Sequence, residues 1–209
     1  MFLIDGPEDA PATVLLAHGA GAPMDSAAMA GAAQALAATG LRVARFEFAY
    51  MAARRGGGGV KPPPRAETLV PAYRAVVAAL DAPGPLVIGG KSMGGRVASM
   101  AVDDLRAEGR AAGLLCLGYP FHPPGKPESL RTAHLARLGT PALICQGTRD
   151  PFGTREEVAG YMLAPSIEVF WLEDGDHDLR PRKAVTGLTA AAHLASVAGR
   201  VRAWVDGLA

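Results

Sequence analysis

The segment Leu86 to Gly95, Leu-Val-Ile-Gly-Gly-Lys-Ser-Met-Gly-Gly, carries an apolar run into the pattern G-x-S-x-G (Gly90, Lys91, Ser92, Met93, Gly94) and then into a helical pattern. A serine between glycines at this spacing suits a strained strand-to-helix turn, because Gly90 and Gly94 have no Cβ to collide with neighbouring backbone. The Ser92 hydroxyl would then stand clear of the sheet as a nucleophile for acyl transfer. The backbone N–H of Met93, at the positive end of the following helix, would face the oxyanion that forms.

Such a serine needs a base to take its proton and an acid to orient the base. Pro141 to Gly147 is a short apolar run that leads into Thr148-Arg149-Asp150, with Pro151 and Gly153 marking a loop, so Asp150 is the candidate acid. Ile167 to Leu172 alternates, is rich in β-formers and leads into Glu173-Asp174-Gly175-Asp176-His177-Asp178, so His177 is the candidate base. Taken singly, each residue reads as an ordinary turn, cap or solvated loop position. Three of them in this order, each after a different strand, read as one constellation. His18 and His122 precede Asp150, His134 lies in a helical pattern and His193 in the last helix, so none competes with His177.

Apolar runs of strand length fall at Thr13 to His18, Leu41 to Phe48, Pro85 to Gly89, Gly113 to Gly118, Pro141 to Gln146 and Ile167 to Leu172. Helical patterns separate them at Asp25 to Thr39, Arg65 to Asp81, Ser92 to Glu108, Glu128 to Leu138, Thr154 to Leu163 and Arg182 to Leu208. This alternation predicts an α/β fold, a mostly parallel sheet of about six to seven strands with helices on both faces. The 209 residues, 49% of them hydrophobic, suffice for one domain over 1–209. Four glycines at Gly56 to Gly59, then Lys61 and three prolines at Pro62 to Pro64, predict an irregular loop rather than a linker.

Charge and cysteine usage narrow the class. With 21 basic against 20 acidic side chains the net charge is +1, so no global field points to nucleic acid or to an anionic membrane as partner. Met1 to Asp9 lacks the basic and long apolar regions of a secretory signal, and no stretch is apolar for long enough to span a bilayer, so the cytoplasm is the expected compartment. Cys116 and Cys145 fall within apolar strands and are assigned no chemistry. His18-Gly19-Ala20-Gly21-Ala22 lies between a strand and a helix, but Met24 occupies the third glycine position of a dinucleotide fingerprint. Gly90-Lys91-Ser92 likewise imitates the end of a P-loop, but Pro85 stands where its first glycine must be.

The segments H-G-A-G-A, F-E-F-A-Y-M-A-A-R-R, K-P-P-P-R-A-E, G-G-K-S-M-G-G-R, G-Y-P-F-H-P-P-G-K-P and Q-G-T-R-D-P-F-G span nearly the whole chain. Together they resemble the α/β hydrolase superfamily, and more closely its small, lidless, dienelactone-hydrolase-like members. The resemblance implies a triad of Ser92, Asp150 and His177, with an oxyanion hole made by the N–H groups of Met93 and Ala20. His18 then becomes a packed, hydrogen-bonded loop residue. The interval between Gly118 and Pro141 holds a loop and one helix but no cap domain, and the antiparallel edge hairpin of larger members shrinks to Phe2 to Ile4 or vanishes.

The expected activity is cleavage of an ester, thioester or lactone of a small molecule by a monomer or small homo-oligomer, without metal or cofactor. Arg54, Arg55, Tyr119 and His122 are the candidate substrate-binding residues. Arg54 and Arg55, with Lys61 and Arg65 beside them, could meet an anionic substrate group, because guanidinium grips carboxylate bidentately. The competing reading is a catalytically idle binding or scaffold protein, since fold alone does not fix function.

Overall fold

The computed structural model describes residues 1–55 and 62–208, with the Arg55 side chain left out. The glycine-rich part of the expected irregular loop, 56–61, lies outside the described residues. Seven strands alternate with helices in the order β1 (Leu3–Asp5), β2 (Thr13–Ala17), α1 (Ala27–Ala37), β3 (Arg42–Phe46), α2 (Ala49–Arg55), α3 (Ala66–Ala79), β4 (Leu86–Lys91), α4 (Met93–Ala107), β5 (Gly113–Leu117), β6 (Ala142–Gly147), α5 (Arg155–Val158), β7 (Ile167–Leu172), α6 (Lys183–Thr186) and α7 (Ala190–Asp206). They form one sheet in the spatial order β1-β3-β2-β4-β5-β6-β7, parallel except for β1, which runs antiparallel to β3.

Strands β2, β5 and β6 are buried at every residue because helices cover both faces, which is why their sequences read as unbroken apolar runs. On one face α3 and α4 pack Leu69, Tyr73, Val97, Ala101 and Leu105 against Phe46, Ile88 and Leu114. On the other, α1 and α7 pack Met29, Ala33, Val197 and Val201 against Val14, Val43 and Leu143. The edge strand is only three residues long, and Arg45 fastens it: its guanidinium pairs with Asp5 at 2.8 Å and donates to the Met24 carbonyl at 2.9 Å. Among the described residues no helix is long and apolar enough to cross a membrane.

The helices depart from expectation where tertiary hydrogen bonds outweigh helical composition. The expected helix Glu128 to Leu138 is a series of turns with one 3₁₀ turn, Leu135–Arg137, because the Arg131 N–H is drawn off to the Phe121 carbonyl at 2.7 Å. The expected helix Thr154 to Leu163 stops after α5. The last helix divides in two at Gly187, which takes φ +73°, and Thr189 restarts it by accepting from the Ala192 N–H at 3.1 Å. Helix α2 is an addition, formed where the sequence suggested strand end and loop.

Two buried polar side chains tie these layers together, and each yields a test. The Tyr73 hydroxyl accepts from the Gly89 N–H at 2.9 Å and donates to the Gly89 carbonyl at 2.8 Å, fixing α3 to the middle of β4. Tyr73→Phe removes the hydroxyl that bonds both Gly89 groups and is expected to cost about 1 to 3 kcal/mol in urea unfolding at unchanged m value.

His18, just beyond β2, is fully buried; its Nδ1 donates to the Gly19 carbonyl at 2.6 Å and its Nε2 accepts from the Phe48 N–H at 3.1 Å. Burial lowers its pKa below the ordinary 6.5, so as pH falls beneath that value the unfolded chain takes up a proton that the folded chain refuses, and stability drops. His134 is lowered in the same direction by burial and Arg96. The slope of Tm against pH between about 7 and 5 is therefore expected to flatten without vanishing in His18→Gln, whose amide oxygen can still accept from Phe48; an unchanged slope would refute it.

Candidate active site

Ser92 occupies the junction of β4 and α4 with φ +52° and ψ −117°, a conformation that L residues rarely adopt. The cause is close backbone approach. A Cβ on Gly90 would lie 2.5 Å from the Ala17 carbonyl oxygen, and one on Gly94 would lie 2.4 Å from the same atom. With both contacts closed to side chains, the turn ejects the Ser92 hydroxyl from the sheet.

Asp150 follows β6 and His177 follows β7, and the adjacency of these parallel strands brings their loops together. His177 Nε2 lies 2.9 Å from Ser92 Oγ, and His177 Nδ1 lies 2.8 Å from Asp150 Oδ2. Asp150 is fully buried, and its carboxylate also accepts from the Gln146 amide at 2.9 Å and the Phe152 N–H at 2.9 Å. These donors satisfy an otherwise expensive buried charge and leave it aimed at the imidazole. The Phe152 ring stacks on His177 with 4.1 Å between centroids.

Lys91, at the variable position before Ser92, is a residue to which the sequence assigned no role. Its ammonium donates to the His177 main-chain carbonyl at 2.5 Å and pairs with Asp178 at 3.4 Å, so it bridges the strand of the serine and the loop of the histidine. Burial lowers its pKa, opposed by Asp178 and Asp150. Asp174 secures the same loop from its outer side: Arg182 hydrogen bonds hold its carboxyl at about 2, and its carbonyl accepts from Arg149 Nε at 2.7 Å.

Met93 opens α4, so its N–H precedes the helical ladder. Ala20 borders Ser92, and the Tyr50 hydroxyl holds its carbonyl at 3.1 Å. Burial pushes the Tyr50 pKa up to about 12, keeping the phenol a donor. Among the described residues neither the Met93 nor the Ala20 N–H donates to a backbone acceptor.

Two cavities meet at Ser92 and share Ala20 and Phe152. One, of about 270 Å³, is walled by His177, Asp178, Gly21, Ala28 and Met29. The other, of about 340 Å³, is walled by Met93, Pro120, Arg65, Arg96 and Arg131. A cavity of about 430 Å³ lies at the opposite end of the strands around Pro85 and Arg110 and has no part in the site.

Of the expected substrate-binding residues, the three with described side chains line neither cavity. Tyr119 is fully buried, with its hydroxyl donating to the Arg131 carbonyl at 3.0 Å, and it lines neither cavity. His122 is 2% exposed and faces away, its Nδ1 bonded to the Pro123 carbonyl at 2.8 Å and its Nε2 3.3 Å from Glu157. Both were drawn inward because the loop after β5 folds its aromatic and imidazole rings beneath itself. Arg54 lies over the Tyr50 ring, 5.5 Å from the centroid, rather than on either cavity wall. Arg55 ends α2 with its side chain outside the described part.

A second serine–histidine contact, Ser99 to His134 at 2.8 Å, is structural: Ser99 lies within α4, 3% exposed, and its hydroxyl donates to the Arg96 carbonyl at 2.7 Å.

A family described as an alpha/beta hydrolase domain matches residues 10–206. Among solved structures, this chain is similar to Est1E from Butyrivibrio proteoclasticus with ferulic acid bound (TM-score 0.72, 14% identity, 100% of this chain and 94% of that one). It is also similar to the dienelactone hydrolase of Anabaena variabilis (0.66, 21%, 99% and 90%) and to a serine hydrolase without lid from Xanthomonas campestris (0.64, 19%, 98% and 87%). At these identities the likeness is one of fold. With the family match running over nearly its whole length, the chain belongs to the alpha/beta hydrolase family.

Proposed function

We propose that the protein is a serine hydrolase that cleaves ester-type bonds of small substrates through an acyl-enzyme. The observation that carries this reading is the continuous hydrogen-bonded chain from Ser92 through His177 to buried Asp150, ending at two open cavities. Ser92 Oγ attacks the substrate carbonyl carbon while its proton passes to His177 Nε2. The oxyanion of the tetrahedral intermediate takes the N–H groups of Met93 and Ala20, which are fixed in place beforehand and need no reorganisation. Asp150 keeps the Nδ1 proton in place and stabilises the imidazolium. Collapse breaks the bond to the leaving oxygen, which receives the proton from His177, and a water then repeats the sequence on the acyl-enzyme to release the acid.

Ester, thioester and lactone carbonyls all satisfy this geometry. The modest cavity volumes favour small acyl and leaving groups. The esterase and dienelactone hydrolase neighbours support an ester-type bond.

A fluorophosphonate probe is expected to label the protein at Ser92. Ser92→Ala should abolish labelling and lower turnover of an activated ester by on the order of 10⁶. Labelling that persists in Ser92→Ala would overturn the assignment. Lys91→Met keeps the aliphatic stem and removes the hold on the His177 loop, so kcat should fall by about 10 to 100-fold with KM changed far less. A fall in kcat/KM carried by KM alone would show that Lys91 binds substrate instead.

A further inference from the structure

The two cavities at Ser92 are chemically unlike, and the base lies on only one of them. The reaction requires His177 to return its proton to the leaving oxygen, so the leaving group must occupy the side where His177 forms the wall, among Gly21, Ala28 and Met29. The acyl part then extends into the other cavity, past Met93.

That second wall is cationic. Arg65, Arg96 and Arg131 border it against a single carboxylate, Glu67, which is already paired with Arg96 at 2.5 Å. Among the described residues no carboxylate lies within ion-pair distance of Arg131. The Arg131 guanidinium is partly buried, and both burial and the Arg96 charge lower its pKa. A cation held in this way is destabilised until an anion reaches it.

We propose that this cavity binds the acyl part of the substrate and that this part ends in a carboxylate, which makes half-esters of short dicarboxylic acids the preferred substrates. The proposal rests on Ser92 acting as the nucleophile. The Ser92 Oγ–carbonyl bond forms, the bond to the alcohol oxygen breaks, and water then yields the free diacid. The distal carboxylate takes no part in bond making; it is held by Arg131, with Arg65 and Arg96 supplying further positive charge.

The test compares 4-nitrophenyl hydrogen adipate with 4-nitrophenyl hexanoate, which share chain length and leaving group and differ in the terminal carboxylate. The wild-type protein should prefer the adipate ester in kcat/KM. Arg131→Gln should lower the adipate-to-hexanoate ratio by about 10 to 150-fold, as expected for a lost charge-assisted contact, and Arg131→Lys should recover part of it. The main-chain groups of Arg131 that bond Phe121 and Tyr119 are untouched by either change. Should Arg131→Gln fail to fold, Arg65→Gln, an exposed position at the start of α3, must lower the same ratio.

A ratio unchanged by both substitutions would overturn the proposal, as would a wild-type protein that does not discriminate. A preference for 4-carboxyphenyl hexanoate over phenyl hexanoate would also overturn it, by placing the anion on the leaving side. Cleavage of hexanoate without discrimination defeats the carboxylate subsite alone, whereas loss of both ester cleavage and probe labelling at Ser92 defeats the nucleophile assignment too.

Discussion

The first turn of α4 presses against the backbone of β2, and the geometry of the site depends on that contact. The Ala17 carbonyl is so close to Gly90 and Gly94 that no side chain fits at either position. Between them Ser92 adopts a left-handed conformation that costs a residue with a side chain roughly 1 to 3 kcal/mol. The fold sustains this because both sides of the turn are fixed independently. Strand β4 lies between β2 and β5 in the middle of the sheet, while Val97, Ala98, Ala101 and Val102 lock α4 onto it with no exposed surface. The serine is therefore positioned by apolar packing and strand pairing, before any ligand arrives.

The histidine side is held by different forces. Its loop has one apolar anchor, the buried Leu179, and is otherwise held by Lys91 to the His177 carbonyl, by Asp174 to Arg182 and Arg149, and by the Phe152 ring stacked on the imidazole. Loops fixed in this way open at lower free energy than a packed core. The division suits the proposed chemistry, since the nucleophile must keep one position whereas the base must give and take a proton. Lys91 joins the two halves, because it stands next to Ser92 in sequence and reaches His177 in space.

Much of this was legible in the residues. Six of the seven strands appear as apolar runs, because a parallel sheet covered on both faces needs side chains that are apolar on both sides. The three-residue edge strand is too short to generate a pattern. The helix at 128–138 was expected from composition, but hydrogen bonds to the loop after β5 drew it into turns, and this is how Arg131 reaches the Ser92 cavity. The break at Gly187 could have been inferred from a glycine followed shortly by a threonine cap. The placements of Tyr119 and His122 could not, because position at a strand end does not say which way a loop folds its rings.

By itself the sequence determined the alternation of elements, the glycine-flanked turn around Ser92 and the chain order of serine, acid and histidine. These are local properties: periodicity, the absence of a Cβ, and residue type at a strand end. The tertiary structure alone decided that Lys91 clamps the His177 loop and that Arg65, Arg96 and Arg131 share one wall beside Ser92. Each of these brings together side chains from different elements, and their meeting depends on helix placement and loop direction, which no periodicity in the chain encodes.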